Sequence, residues 1–196
     1  EVVAFSVERV FQKNLELLGL PVVAFEDLKE RFEPSKHFVY VATVYTQLNR
    51  LRTRLAENAK AMGFTLASYV SSRAFIWRNV EVGEHCFIFE NNTVQPFVKI
   101  ENNVVLWSGN HIGHHSIIRS NSFVASQVVI SGFCEIGRNS FIGVNATLAN
   151  NVRIAKDNWI GPNVAITKST EVGSLYKADQ AEPAKISAPR FFKITE

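Results

Sequence analysis

From Val70 to Val172, every sixth residue is Val, Ile or Leu. The run passes through Ile76, Val82 and Ile88, keeps step at Ile112, Ile130 and Leu148, and reaches Ile166 and Val172 without a slip. Eighteen positions obey it, although those three types fill only 49 of the 196 residues. Chance would produce such a run roughly once in 10^11 trials, so it is an internal repeat. An α-helix has no use for this period, because steps of six scatter side chains around a 3.6-residue spiral.

Two further columns share the register. Small or medium residues, among them Ala74, Cys86, Asn92, Ser116, Ser122, Cys134 and Ala146, stand two positions before most of the aliphatics. Positions two apart face one side of an extended chain, so each repeat turns one large and one smaller residue inward. Three positions after most of the aliphatics come Asn79, His85, Asn91, Asn103, Gly109, His115, Asn121 and further Asn or Asp residues up to Asn163. These types tolerate the left-handed backbone region, so a corner follows nearly every short strand. A short strand, a tight corner and a period of six predict a parallel β-helix of hexapeptides. Three hexads close a triangular coil of about 18 residues, and the predicted β-helix covers 70–173.

The first 69 residues lack the sixfold pattern. Short apolar runs at 2–5, 21–25, 38–43 and 65–70 read as strands. Between the last two, Leu48, Leu51, Leu55, Ala59 and Met62 recur at helical spacing, with Thr46 as the expected N-cap and Gly63 as the stop. This alternation predicts a small, Rossmann-like α/β domain over 1–69, with ligands expected at the carboxyl ends of its strands. No GxGxxG supports a dinucleotide site. The chain starts at Glu1, without Met, directly on a strand-like VVAF, so the domain is expected to be incomplete at its start. Residues 174–196 read as an extended tail over the end of the β-helix.

Composition closes several alternatives. Lys and Arg total 21 against 18 Asp and Glu, a net charge of +3 with no clustered basic face for nucleic acid. The apolar runs are far too short to insert in a membrane. Cys86 and Cys134 can build neither a disulfide scaffold nor a structural zinc site and read as packing thiols. Nothing marks a signal peptide, so the cytoplasm is the expected location.

Titratable groups crowd at one place, His111, His114 and His115. His37 and His85 read as a surface residue and a corner residue. His115 also stands in the corner column, and His111 points outward. His114 stands where no residue type repeats. A chance cluster on a solvated edge would explain the three; a general base is the functional alternative. Histidine titrates near neutrality and can take a proton from an amine or hydroxyl. A polar group on its far nitrogen, such as His115, would fix the tautomer. Three histidines could also bind zinc, but adjacent side chains point different ways and converge poorly.

The hexapeptide run with GNHIGHHS at 109–116 and VVISGFCEIGRNSFIGVNATL at 128–148, preceded by a small α/β unit, resembles the sialic-acid O-acetyltransferase family of hexapeptide-repeat sugar acetyltransferases. It is similar in particular to N-acetyltransferases of nucleotide-linked 4-amino-6-deoxy sugars, as in the bacillosamine pathway. The resemblance implies a left-handed β-helix and a homotrimer with active sites between subunits. It implies acetyl-CoA along the groove, no metal, and a nucleotide sugar held by the α/β domain. The family's base matches His114. Its usual acidic neighbour is replaced by His115. Another family histidine, which contacts acetyl-CoA, is replaced by Phe123. The backbone amide that polarises the thioester matches Gly132, and the pantetheine wall matches Val144, Gly161 and Pro162. Ser6, Thr43 and Val44, with His111, are the expected substrate contacts; relatives often have Gly where Val44 stands. The implied reaction is direct transfer to a sugar amine. Transfer to a sugar hydroxyl, a β-helical carbonic anhydrase and a non-catalytic β-helix are the competing readings.

Overall fold

The computed structural model describes residues 1–179 and 181–194. In the N-terminal part, β1 (Phe5–Val7) lies parallel to β3 (Leu20–Ala24), and β2 (Glu16–Leu17) pairs with β3 as an antiparallel hairpin. The hairpin escaped the sequence reading because Glu16–Leu17 is too short to show alternation. After α1 (Leu28–Arg31), β4 (Phe38–Val39) pairs in parallel with β5 (Thr65–Leu66) across α2 (Arg50–Ala61). The expected strand at 65–70 is therefore two strands, because its end, Tyr69–Val70, already belongs to the β-helix.

Helix α2 starts later than Thr46 predicts. Gln47, Leu48 and Asn49 all adopt positive φ, so the backbone turns helical only at Arg50. Gly63, at φ 97°, ends the helix. The buried stripe is Arg52, Ala56 and Ala59, one position round from the expected leucine edge. Two alanines let the helix come close, and Arg52 is held by backbone carbonyls and lies over the Tyr40 ring.

From Tyr69 the chain climbs in triangular coils. Its two-residue strands stack into three parallel sheets of seven, six and five strands, a left-handed parallel β-helix. Strand partners are 18 residues apart: Val94 lies beside Ile112, and Ile112 beside Ile130. All fourteen ruler residues from Ile88 to Ile166 are at most 5% exposed. The ruler's ends behave differently. Val70, Val82 and Val172 are substantially exposed because one neighbouring coil is missing. Cys86, Cys134, Ser116 and Ser122 are buried in the inward column, each serine donating its hydroxyl hydrogen to a backbone carbonyl. The aliphatic column is thus a continuous core that each coil shares with the next.

The last coil is shorter than the rest. Leu175–Tyr176 stacks on Trp159–Ile160, an offset of 16 residues. The five-strand sheet ends at Arg153–Ile154; residues 169–173 cover that side of the triangle without pairing as a strand, Thr170 N–H donating to the Arg153 carbonyl and Gly173 N–H to the Lys156 carbonyl. The expected tail therefore begins inside the β-helix and continues to a short exposed helix, Ala188–Phe191.

The three outer faces differ. The seven-strand face carries Val105, Phe123 and Phe141, which Leu48 and Tyr45 of the N-terminal part cover. Helix α2 runs along one edge of that face. Asn49 donates to the Asn121 carbonyl, Asn103 donates to Thr53, and ion pairs join Arg50 to Asp157 and Lys60 to Glu84. The five-strand face is charged, with Arg119 bridging Glu101 and Glu135. The six-strand face turns Phe75, Thr93, His111, Val129, Thr147 and Ala165 outward. Among the described residues, no helix is long and apolar enough to cross a membrane.

Candidate active site

His114 stands at the corner where the chain leaves the six-strand face. It lies two residues after the buried Ile112, and its side chain is exposed. Its backbone N–H donates to Gln95 Oε1 at 2.9 Å. Its ring lies against Gly132, one coil above: a Cβ at that position would come within 2.8 Å of Cε1 and 2.9 Å of Nε2. Real side chains do not approach so closely, so this ring position requires glycine. The period of 18 explains the stacking.

His115 follows at φ 58°, in the left-handed region. This backbone swings its ring beside that of His114, with the two Nδ1 atoms 3.1 Å apart. One nitrogen donates and the other accepts. When His114 is the donor, its Nε2 carries a lone pair; among the described residues no partner holds that nitrogen. His115 is itself stacked between Phe97 and Phe133, at centroid distances of 4.7 and 4.8 Å. Phe133 also meets His114 edge-on at 5.0 Å.

The other expected residues fall into three places. Gly132 is beside His114, but its amide donates to Asn150 Oδ1 at 2.9 Å. Val144 and Pro162 stand at the opposite edge of the six-strand face, both exposed. Gly161 beside them is buried, and its amide donates to the Tyr176 carbonyl. His111 lies between these edges, partly exposed on its strand. Within one chain, the wall residues and His114 therefore flank one face without converging. Ser6 and Thr43 line a cavity of about 620 Å³ between the segments 1–6 and 37–43, while Val44 lies outside it and is 55% exposed. The lining is mostly apolar and contains no Lys or Arg. Thr43 Oγ1 is buried there without a hydrogen-bond partner. Among the described residues, no three His, Cys, Asp or Glu side chains gather as a metal site would need.

His85 joins the two parts of the chain. It is fully buried and its Nε2 accepts the Val41 N–H at 3.0 Å. Arg52, also buried, donates to the carbonyls of Val41 and His85. Burial, then the Arg52 charge, pushes the His85 imidazole down to about 3. It is a neutral structural acceptor, unsuited to moving protons near pH 7.

Gln95, Asn150, Phe97 and Phe133 were missed by sequence reasoning. The signal was available for the two phenylalanines: they stand in the corner column, 18 residues before and after His115, where Asn is usual. Gln95 and Asn150 carry no signal beyond their polarity.

No family model matches this sequence, and no curated protein matches it. Solved structures do. The acetyltransferase domain of PglB from Neisseria gonorrhoeae is 21% identical, with a TM-score of 0.79 over 92% of this chain and 86% of that one. A second structure of that domain, in complex with acetyl coenzyme A, is 20% identical, with a TM-score of 0.75 over 89% and 83%. PerB from Caulobacter crescentus, in complex with CoA and GDP-perosamine, is 22% identical, with a TM-score of 0.75 over 83% and 78%. At these identities the likeness shows a shared fold.

Proposed function

We propose that this chain is an acetyl-CoA-dependent N-acetyltransferase acting on the amino group of a nucleotide-linked amino-deoxy sugar. The observation that carries the reading is the pairing of His114 Nδ1 with His115 at 3.1 Å, which leaves Nε2 unengaged beside Gly132. The structures of similar fold include PerB, solved with CoA and GDP-perosamine, which supports the choice of donor and acceptor.

In this mechanism the amine nitrogen attacks the thioester carbonyl carbon. A C–N bond forms, the C–S bond breaks, and CoA leaves as a thiolate. His114 Nε2 takes the amine proton and can return it to the departing sulfur. His115 holds the Nδ1 proton and so fixes the tautomer. The developing oxyanion needs a backbone donor. The Gly132 amide takes that role once Asn150 turns away from it.

The reading includes a homotrimer with sites between subunits. Its support is the six-strand face, where Phe75, Trp77, Val129, Phe97, Phe133 and Val144 are exposed; the five-strand face is charged, and the N-terminal part covers Phe123 and Phe141 of the seven-strand face. A neighbouring copy would bring Val144 and Pro162 toward His114. The apolar cavity at Ser6 and Thr43 suits a sugar or base rather than phosphates, which would meet their cations outside it.

The test measures thiol release from acetyl-CoA with a nucleotide-linked 4-amino sugar and with a hydroxyl sugar. Turnover of the amine is expected, falling about 10²- to 10⁴-fold in His114→Ala. Turnover of the hydroxyl sugar alone would replace this reading with O-acetylation. An undiminished rate in His114→Ala would remove the base assignment.

A further inference from the structure

Fourteen consecutive corners, from residue 85 to residue 163 in steps of six, have positive φ. Eleven carry Asn, Asp, Gly or His, the types that accept this geometry. The exceptions are Gln127 and two phenylalanines, Phe97 and Phe133. Bulky residues rarely adopt such a backbone, and strain held in place is a lead to function. Both phenylalanines share one corner column, one coil below and one above His115. Their rings lie on its two faces, inclined by 28° and 19°.

We propose that Phe97 and Phe133 are positioning residues that clamp the His115 ring and hold its Nδ1 against the His114 Nδ1, the contact through which His114 Nδ1 donates and its Nε2 is left as the base. This rests on the reading of His114 as a general base. Two imidazoles joined through one proton have two arrangements. With the proton on His114 Nδ1, Nε2 is a base. With the proton on His115 Nδ1, His114 carries hydrogen on Nε2 and cannot accept one. An exposed ring also rotates about its Cβ–Cγ bond and would turn Nδ1 away. Aromatic faces on both sides block that rotation. Phe133 adds an edge contact to His114 at 89°, so one ring braces both imidazoles.

Asn at both positions would relieve the backbone and remove the clamp; because both rings also lie on the face proposed for a neighbouring copy, the ring tautomers and not the rate decide the clamp. The experiment labels histidine with nitrogen-15 and reads ring tautomers by long-range proton–nitrogen NMR, in wild type and in Phe97→Asn/Phe133→Asn. Wild type is expected to show His114 protonated at Nδ1 and His115 at Nε2. The double variant is expected to show mixed tautomers at both rings, with an equal or higher melting temperature. Its kcat should fall about tenfold or more at little change in KM, with a displaced acid limb of the pH–rate profile. Phe97→Gly/Phe133→Gly should reproduce the loss and covers the case in which asparagine disturbs folding. Unchanged tautomers in both double variants would overturn the clamp. Absence of acetyl transfer in the wild type would instead overturn the functional reading, while the NMR result would still decide the clamp.

Discussion

Two histidines in the same kind of corner have opposite fates. His115 is exposed and paired to another imidazole; His85 is sealed between the β-helix and the N-terminal part. Because burial lowers the His85 value to about 3, the folded protein refuses a proton that the unfolded chain accepts below about 6.5. Its contribution is fully present above pH 6.5 and is lost as pH falls toward 3. Urea unfolding at pH 7, 6, 5 and 4 should show falling stability, with a shallower slope in His85→Asn; equal slopes would refute the account. The two residues were equally legible as corner formers, because the period alone assigns them. What separates them is a contact with Val41, 44 positions away, which no local pattern contains. The stacking of Gly132 on His114 was legible, since a single coil length relates them.

At the scale of elements, the β-helix could be read strand by strand, whereas helix α2 could be read only in outline. A repeat states its own packing: each strand has the same neighbours, so one column defines all the interiors. The helix has one partner of irregular shape, and the small Ala56 and Ala59 set its approach in place of the larger leucines. Arg52 occupies a core position because the carbonyls of Val41 and His85 receive its guanidinium. Burial holds that guanidinium below the usual arginine value. Arg52→Leu should cost about 2–4 kcal/mol in denaturant unfolding, since two buried acceptors lose a charged donor. A loss below about 0.5 kcal/mol would show the site to be well served by apolar packing.

For the whole molecule, the three faces differ: one receives the N-terminal part, one is solvated by charge, and the third is the one the proposed trimer would use. Val129, 40% exposed at the middle of the third face, tests that division. Val129→Glu should lower the solution mass by light scattering to about a third and abolish transfer, with the melting curve still cooperative. A wild-type protein that is already monomeric would contradict the trimer. A β-helix is also, physically, a polymer of like rungs, and a polymer needs a terminator. The irregular side of the last coil, residues 169–173, which stacks on the rung below without forming a strand, supplies one. The top of the stack is ragged, with one sheet ending at Ile154 and another continuing to Tyr176. A second molecule arriving end-on finds no level triangle to template its own first rung. The irregular last coil thus acts against fibre growth.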